Sequence, residues 1–259
     1  MLTIYLLDHW YITLAIVAIL VVVAGVGFRL GRRRQTWVDD NYRSQLSTMQ
    51  ASTLGLLALL LGFTFALAAS RFEARKALVL KEANAIGTAY LRLGLLQAPD
   101  RGELEALMRR YVDARVDFDR VDNWESFRTA QAASSWLQSQ LWMRVGDLAR
   151  TDGRPVPHSM ILQSLNEVID IDGGRRAALF NRVPDIILGL LMGVGTFAML
   201  INGYSVGVGG TRSLFALIVM PMMIAAVIAV IIDLDRPRRG LIQVGQQSLI
   251  ELQESLKGD

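Results

Sequence analysis

Cysteine is absent from the 259-residue chain. Its absence removes disulfides, thiolate nucleophiles and cysteine metal sites together, and leaves the redox compartment unreadable. Histidine is nearly as scarce: His9 and His158 are the only two and lie far apart, too few for a histidine metal centre or a His-based triad. No nucleophile–base pair, phosphate loop or metal-ligand cluster is visible, so neither an enzyme, a cofactor nor a bound metal is expected. Net charge is only +3, which suggests no nucleic-acid partner. No stretch alternates apolar and polar residues at period two between turn residues, so no sheet is expected. Proline is missing from residues 51–98, so nothing there forces a helix to stop.

What the chain has in excess is apolar length. Hydrophobic residues make up 52% of it and mean hydropathy is +0.34, above a typical soluble domain, and the excess is gathered into four blocks. The first, Tyr11 to Leu30, ends in Gly31-Arg-Arg-Arg34. A cleaved signal peptide carries its positive charge ahead of the apolar core, so a retained membrane helix is the better reading. Gly25, Gly27 and Gly31 thin its last part and suit close helix packing. The polar 35–50 connection follows, and then the stretch that organises the rest. Ala51 to Ser70 is long enough to cross a bilayer, and strong helix formers continue it past Arg71 towards Gln97. It reads as one rod, part in lipid and part in water, able to carry a change at the membrane into the soluble part.

Beyond the Ala98–Gly102 turn, with Asp100 a candidate N-cap, apolar residues recur at helical spacing to about Val121 and again from Trp124 to Arg150, where Phe127, Trp136, Leu137, Leu141, Trp142 and Val145 mark the inward face. Thr151-Asp-Gly-Arg-Pro-Val-Pro157 breaks the pattern. A further helix begins near Ser159 and is expected to pause at Gly173-Gly174. Pro184 suits the first turn of a third span, Asp185 to Tyr204, in which Gly189, Gly193 and Gly195 form a small-residue stripe expected to pack helices. A glycine-rich loop, Ser205 to Arg212, leads to the fourth span, Leu214 to Ile232, kinked at Pro221. The expected architecture is therefore an all-α integral membrane protein in four parts. Residues 1–70 hold spans at about 11–30 and 51–70 with an Arg-rich connection. Residues 71–183 form a helical soluble domain continuous with the second span, inserted before the third. Residues 184–233 hold the last two spans, and 234–259 an amphipathic tail.

Charge at the span ends gives two answers about orientation. Arg32 to Arg34 after the first span place the N-terminus outside, whereas the basic residues of the other ends (Arg71, Arg75, Lys76, Lys81, Arg175, Arg176, Arg182, Arg236, Arg238 and Arg239, against Arg29, Arg32, Arg33, Arg34, Arg43 and Arg212) favour a cytoplasmic soluble domain. The cytoplasmic placement is the expectation.

Gly62-Phe63, Leu67, Arg71 and Phe72 together resemble the pore-helix pattern of bestrophins. Glu82-Ala-Asn-Ala-Ile-Gly-Thr-Ala-Tyr-Leu-Arg92 and Asp233-Leu-Asp-Arg-Pro-Arg-Arg-Gly240 look closer still to the bacterial bestrophin-like family. The order of span, Arg-rich loop, span, helical domain and two spans is similar to that family over nearly the whole chain. The resemblance implies a homo-oligomer, a pentamer in bestrophins, in the bacterial inner membrane. It also implies an ion channel, anions first, with an apolar neck on the second span. The neck phenylalanine falls on Phe63 and the turn before it on Leu59. The turn before that falls on Gly55, a departure, since glycine cannot constrict a pore. The chain also lacks the acidic run of the calcium clasp, so the resemblance does not extend to it.

The residues support that reading on their own terms and leave alternatives beside it. Gly55, Leu59, Phe63, Leu67 and Arg71 follow one another at i, i+4 steps. Copies arranged around an axis with that face inward make an apolar ring above a ring of Arg71 and Arg75. Such a neck gates by dewetting, and arginines attract anions. Glu73 and Glu82 are expected to dilute that field. The same side chains also suit lipid packing and interfacial anchoring, and Thr64 and Ser70 suit either an ion or the carbonyl one turn back. Asp233, Asp235 and Arg236 read as a structural knot at the membrane edge rather than a cation site, and His158 as a surface residue. The partners implied are a lipid bilayer, further copies of the chain and small inorganic ions. A non-conducting membrane scaffold or sensor is the alternative function.

Overall fold

The computed structural model describes residues 9–118, 124–152, 155–210, 213, 215–236 and 241–258. The expected helix end near Val121, the span start at Leu214, and Arg212, Arg238 and Arg239 of the charge count lie outside these residues, as does the side chain of Phe127. The described residues contain helices and no strand. In order they are α1 (His9–Arg34), a 3₁₀ turn (Gln35–Trp37), α2 (Asp40–Leu93), α3 (Asp100–Phe118), α4 (Trp124–Thr151), α5 (Pro155–Phe180), α6 (Asp185–Val208), a π-helical turn (Phe215–Val219), α7 (Met220–Asp235) and α8 (Gln247–Lys257). Four helical stretches are long and apolar enough to cross a membrane, and the chain is an all-helical membrane protein. The chain divides into two compact units. Unit 1 is Met1–Phe72 with Arg182–Gln243, and unit 2 is Glu73–Asn181 with Val244–Asp259. The expected 234–259 tail is thus shared between them.

The rod is a single 54-residue helix, α2, and starts earlier than expected. Asp39 caps it, its carboxylate accepting the Tyr42 N–H at 2.9 Å, so most of the polar 35–50 segment, from Asp40 on, is helix rather than connection.

Unit 1 is built on α1 and α6. Their backbones approach closely because glycines alternate across the contact. A Cβ on Gly27 would meet the Leu200 carbonyl, one on Gly31 the Tyr204 carbonyl, and ones on Gly203 and Gly207 the carbonyls of Ala24 and Phe28. This is the small-residue packing that lipid favours, where dispersion between close backbones replaces a hydrophobic drive. Of the stripe expected to do this, Gly189 and Gly193 have open space around them, and Gly195 is buried, where a Cβ would meet the Leu57 side chain at 3.8 Å. The contact formed instead carries α6 on to Val208, four residues past Tyr204, because Gly207 and Val208 are still packed on α1. Leu20 and Ala24, Leu57 and Ala68, Leu191 and Ala198, and Ile228 and Ile231 complete the unit's core.

Pro221 lies in the first turn of α7, directly after the π-helical turn, and not at a mid-span kink. The π turn accounts for a polar residue inside an apolar span. The carbonyl of Ala216 has as its five-residue partner the nitrogen of Pro221, which carries no hydrogen. Asn202 supplies the missing donor, its Nδ2 lying 2.7 Å from that carbonyl, and its Oδ1 accepts Gln50 Nε2 at 2.9 Å. An unpaired carbonyl in hydrocarbon is costly, and this side-chain relay removes the cost.

Unit 2 packs α3, α4, α5 and α8 around α2 from Glu73 onward. Its core is formed by Ile86 and Leu93 of α2, Met108 and Tyr111 of α3, Leu141 and Val145 of α4, Ile161 and Leu165 of α5, and Leu249 and Leu256 of α8. The inward face expected of α4 is correct at Leu137, Leu141 and Val145, but Trp136 and Trp142 are both exposed, and Trp136 lies beneath Arg110. Asp100 is the first residue of α3, and its carboxylate pairs with Arg144 at 3.1 Å. The expected pause at Gly173-Gly174 is absent, since α5 runs unbroken from Pro155 to Phe180. Glycine weakens a helix by about 1 kcal/mol each. Here Asp172 and Arg175, on either side of the pair, are both held in buried ion pairs that fix the helix on each side of it.

Candidate functional site

In an α-helix each residue advances about 100°, so α2 sorts its side chains by angle. Leu57, Thr64 and Ala68 point one way, and all three are buried in unit 1. Gly55, Leu59 and Phe63 point the opposite way and are exposed; Leu59 is 55% and Phe63 67% accessible in the single chain. Steps of four residues drift by about 40°, which brings Leu67 and Arg71 round towards the packed side. Both are half-buried. The five positions are therefore a gently turning line, free at Gly55, Leu59 and Phe63 and increasingly enclosed below. Thr64 turns inward, and its hydroxyl donates to the Leu60 carbonyl at 2.7 Å.

The two arginines of the line have different surroundings. Arg75 is buried in unit 2; its Nε donates to the Ala178 carbonyl at 3.1 Å and its Nη2 to the Asn181 carbonyl at 3.0 Å. These carbonyls belong to the end of α5, where the helix has unsatisfied acceptors and a partial negative charge. Arg71 belongs to unit 1. Its Nη1 is enclosed and has no hydrogen-bond acceptor among the described residues.

Glu82 offers no exposed charge to dilute a positive field. It is fully buried in unit 2, where Arg115 Nε donates to it at 2.6 Å and Arg175 Nη1 donates to its other oxygen. Arg115 also pairs with Asp172 at 3.0 Å, and Gln138 Nε2 donates to Tyr111 Oη at 2.9 Å and to Asp172 at 3.3 Å. Burial lowers the Arg115 pKa, but Glu82, Tyr111 and Asp172 outweigh it and hold the guanidinium above its ordinary value. Burial pushes the Tyr111 hydroxyl above its ordinary value, with Arg115 opposing and Glu82 and Asp172 adding to the shift. The network joins α2, α3, α4 and α5, and Arg175 extends it to Gln246 ahead of α8 at 3.4 Å. Periodicity gave no sign of it, because its members are separated by tens of residues.

At the end of α7, Asp233 and Asp235 are buried and act as acceptors for main-chain donors. Asp233 takes the N–H groups of Leu241 and Ile242 at 3.1 and 2.9 Å, and Asp235 takes that of Val183 at 2.8 Å. Arg236 is buried beside them, its N–H donating to the Asp233 carbonyl. These bonds tie the chain after α7 and the entry to α6 into one knot. His158 is not a surface residue: it is 1% exposed, with Nε2 3.6 Å from Asp152. Its place between Pro157 and Ser159 suggested a loop, but α5 already starts at Pro155 and turns the imidazole inward. Asp170 and Asp172 lie within α5, and no cluster of three metal-ligating side chains occurs among the described residues.

Comparison with known proteins gives a consistent picture. The family model of the Bestrophin-like domain matches residues 10–249. No curated protein sequence matches the chain. Among solved structures the chain is similar to a bacterial bestrophin homologue from Klebsiella pneumoniae. In a variant of that protein, 95% of this chain and 97% of the other superpose with a TM-score of 0.71 at 13% identity. A second crystal structure of the homologue gives 0.67 at 14% identity, over 96% and 97% of the two chains. At such identity the likeness is one of fold.

Proposed function

We propose that this chain, which belongs to the bestrophin-like family, assembles with copies of itself into an ion channel whose pore is lined by α2. One observation carries the reading: Leu59 and Phe63 stand clear on the side of α2 opposite its buried residues, 55% and 67% exposed. Rings of these side chains around a symmetry axis form an apolar constriction, which excludes water and ions until it widens. Gly55 leaves the next turn wide, so the neck is short and centred on Leu59 and Phe63, with Leu67 at its flank. Five copies are proposed from the family resemblance.

The positive field at the pore mouth rests on Arg71, because the Arg75 guanidinium is occupied by carbonyls at the end of α5. The charge of five half-buried Arg71 side chains favours small anions such as chloride. In this reading residues 71–183 form the aqueous domain, on the cytoplasmic side of the bacterial inner membrane, and no catalytic step is assigned.

The test is chloride against sodium and potassium flux through the full-length protein in liposomes, for wild type and Phe63→Ala. Flux that rises or changes selectivity in the variant supports a neck at Phe63. Absence of flux from both, with the oligomer intact, favours the non-conducting scaffold.

A further inference from the structure

The outer side of α1 is apolar along most of its length, with Leu14, Val22, Val26 and Leu30 all 40% or more exposed. At about 100° per residue, Arg29 and Arg33 continue the line of Val22 and Val26, and Arg32 flanks it. The opposite side, at Gly27 and Gly31, is locked against α6, so the helix cannot roll to hide these charges. Arg29, Arg32, Arg33, Arg34 and, at the start of α2, Arg43 are all exposed. None of the five has a carboxylate partner among the described residues; Arg32 lies only over the Phe28 ring at 5.9 Å. The acids nearby are Asp39, whose carboxylate caps α2, and exposed Asp40. Five cations against two anions leave a positive excess at the end of a membrane span.

We propose that this end of α1 is a binding site for anionic phospholipid, with Arg29, Arg32 and Arg33 holding the headgroup phosphate and Val22, Val26 and Leu30 lying along the acyl chains. The apolar stripe that runs directly into the arginines selects a lipid over a soluble anion, which has no apolar part to place there. The uncompensated charge selects an anionic headgroup over phosphatidylcholine, whose choline already balances its phosphate. The site requires only that the chain lies in a bilayer and is independent of whether α2 lines a pore.

The test is native mass spectrometry of the full-length protein released from vesicles of equal parts phosphatidylglycerol and phosphatidylcholine. Wild type retains phosphatidylglycerol in preference. Arg29→Gln/Arg32→Gln/Arg33→Gln loses that preference, by about fivefold per arginine removed. The corresponding triple lysine variant keeps most of it, and Arg101→Gln/Arg150→Gln in unit 2 changes nothing. If the triple glutamine variant fails to assemble, Arg33→Gln alone shows the single-arginine drop. An unchanged ratio in the triple α1 variant or in Arg33→Gln, no preference in wild type, or displacement of the lipid by inorganic phosphate overturns the proposal.

Discussion

Arg115 donates through Nε to Glu82 at 2.6 Å, and neither side chain retains any exposure to water. Two charges buried this fully are tolerated only when every partner is present. Arg175 on the second oxygen of Glu82 and Asp172 beside Arg115 complete the set. Glu82 lies on α2, so this network fixes that helix within unit 2 more firmly than apolar contact alone.

Removing one member strands the others. Glu82→Ala leaves Arg115 and Arg175 buried with one carboxylate between them, and is expected to cost about 3–5 kcal/mol. Thermal unfolding of the purified protein should show a large drop in midpoint for Glu82→Ala and for Arg115→Met. The double variant should lose clearly less than the sum of the two. Additive losses would mean that the pair is not coupled.

The same cluster gives the protein an alkaline limit. Tyr111 has its pKa raised in the fold, while in the unfolded chain it titrates near 10. The folded state therefore keeps a proton that the unfolded state gives up. The stability this represents is intact below pH 10 and is lost as pH rises from there towards the folded value. The slope is at most about 1.4 kcal/mol per pH unit. Melting midpoints between pH 9 and 12 should fall more steeply for wild type than for Tyr111→Phe, and parallel curves would contradict this.

The α1–α6 contact separates glycines that the sequence groups together. Gly203→Val places atoms against the backbone of Ala24, which cannot move aside, and should lose about 1–3 kcal/mol or more. Gly25 has nothing within 4 Å of its missing side chain, so Gly25→Ala should be neutral or stabilise α1 by up to about 1 kcal/mol. Retention of the folded protein on size exclusion after mild heating distinguishes the two.

That contrast marks how far the sequence could be read. Spans and helix periodicity are local properties, and composition alone exposed the all-helical membrane architecture. Pairing between helices is not local. Gly25, Gly27 and Gly31 look alike until α6 is laid against them, and the glycines that answer them are Gly203 and Gly207, not Gly189 and Gly193. Asn202 could have been flagged as an amide inside an apolar span, but its role depends on Ala216 losing a donor to Pro221. By sequence Glu82 reads only as a charge that dilutes the field of Arg71 and Arg75, because nothing in its neighbourhood announces its partner Arg115, 33 residues away. On α2 the i, i+4 spacing was legible, yet the drift that turns Leu67 and Arg71 towards their own unit follows from 3.6 residues per turn only once the buried side is known.

Phe63 and Thr64 are adjacent on α2 and about 100° apart around its axis, one exposed and one bonded to the Leu60 carbonyl. If Phe63 forms the neck, Phe63→Ala widens it and raises liposome ion flux severalfold, since the apolar barrier depends on ring size. Thr64→Val removes only a back-bond within the helix and should leave flux unchanged. Equal effects from both would place the response in packing rather than in the pore.

Arg71 and Arg75, one helical turn apart, allow ion attraction to be separated from structure. The Arg75 donors are taken by carbonyls at the end of α5. Arg75→Met therefore leaves those acceptors unsatisfied and should destabilise unit 2 by about 1–3 kcal/mol, with ion preference unchanged in whatever protein remains assembled. Arg71 Nη1 has no hydrogen-bond acceptor among the described residues. Arg71→Gln removes charge without breaking a bond, so stability should hold while the chloride-to-sodium flux ratio falls several-fold. Reversal potentials in a salt gradient, read alongside melting midpoints, test both at once. A selectivity change in Arg75→Met with Arg71→Gln silent would move the ion-attracting charge from Arg71 to Arg75 and show that the α5 carbonyls release the Arg75 guanidinium in the assembled protein.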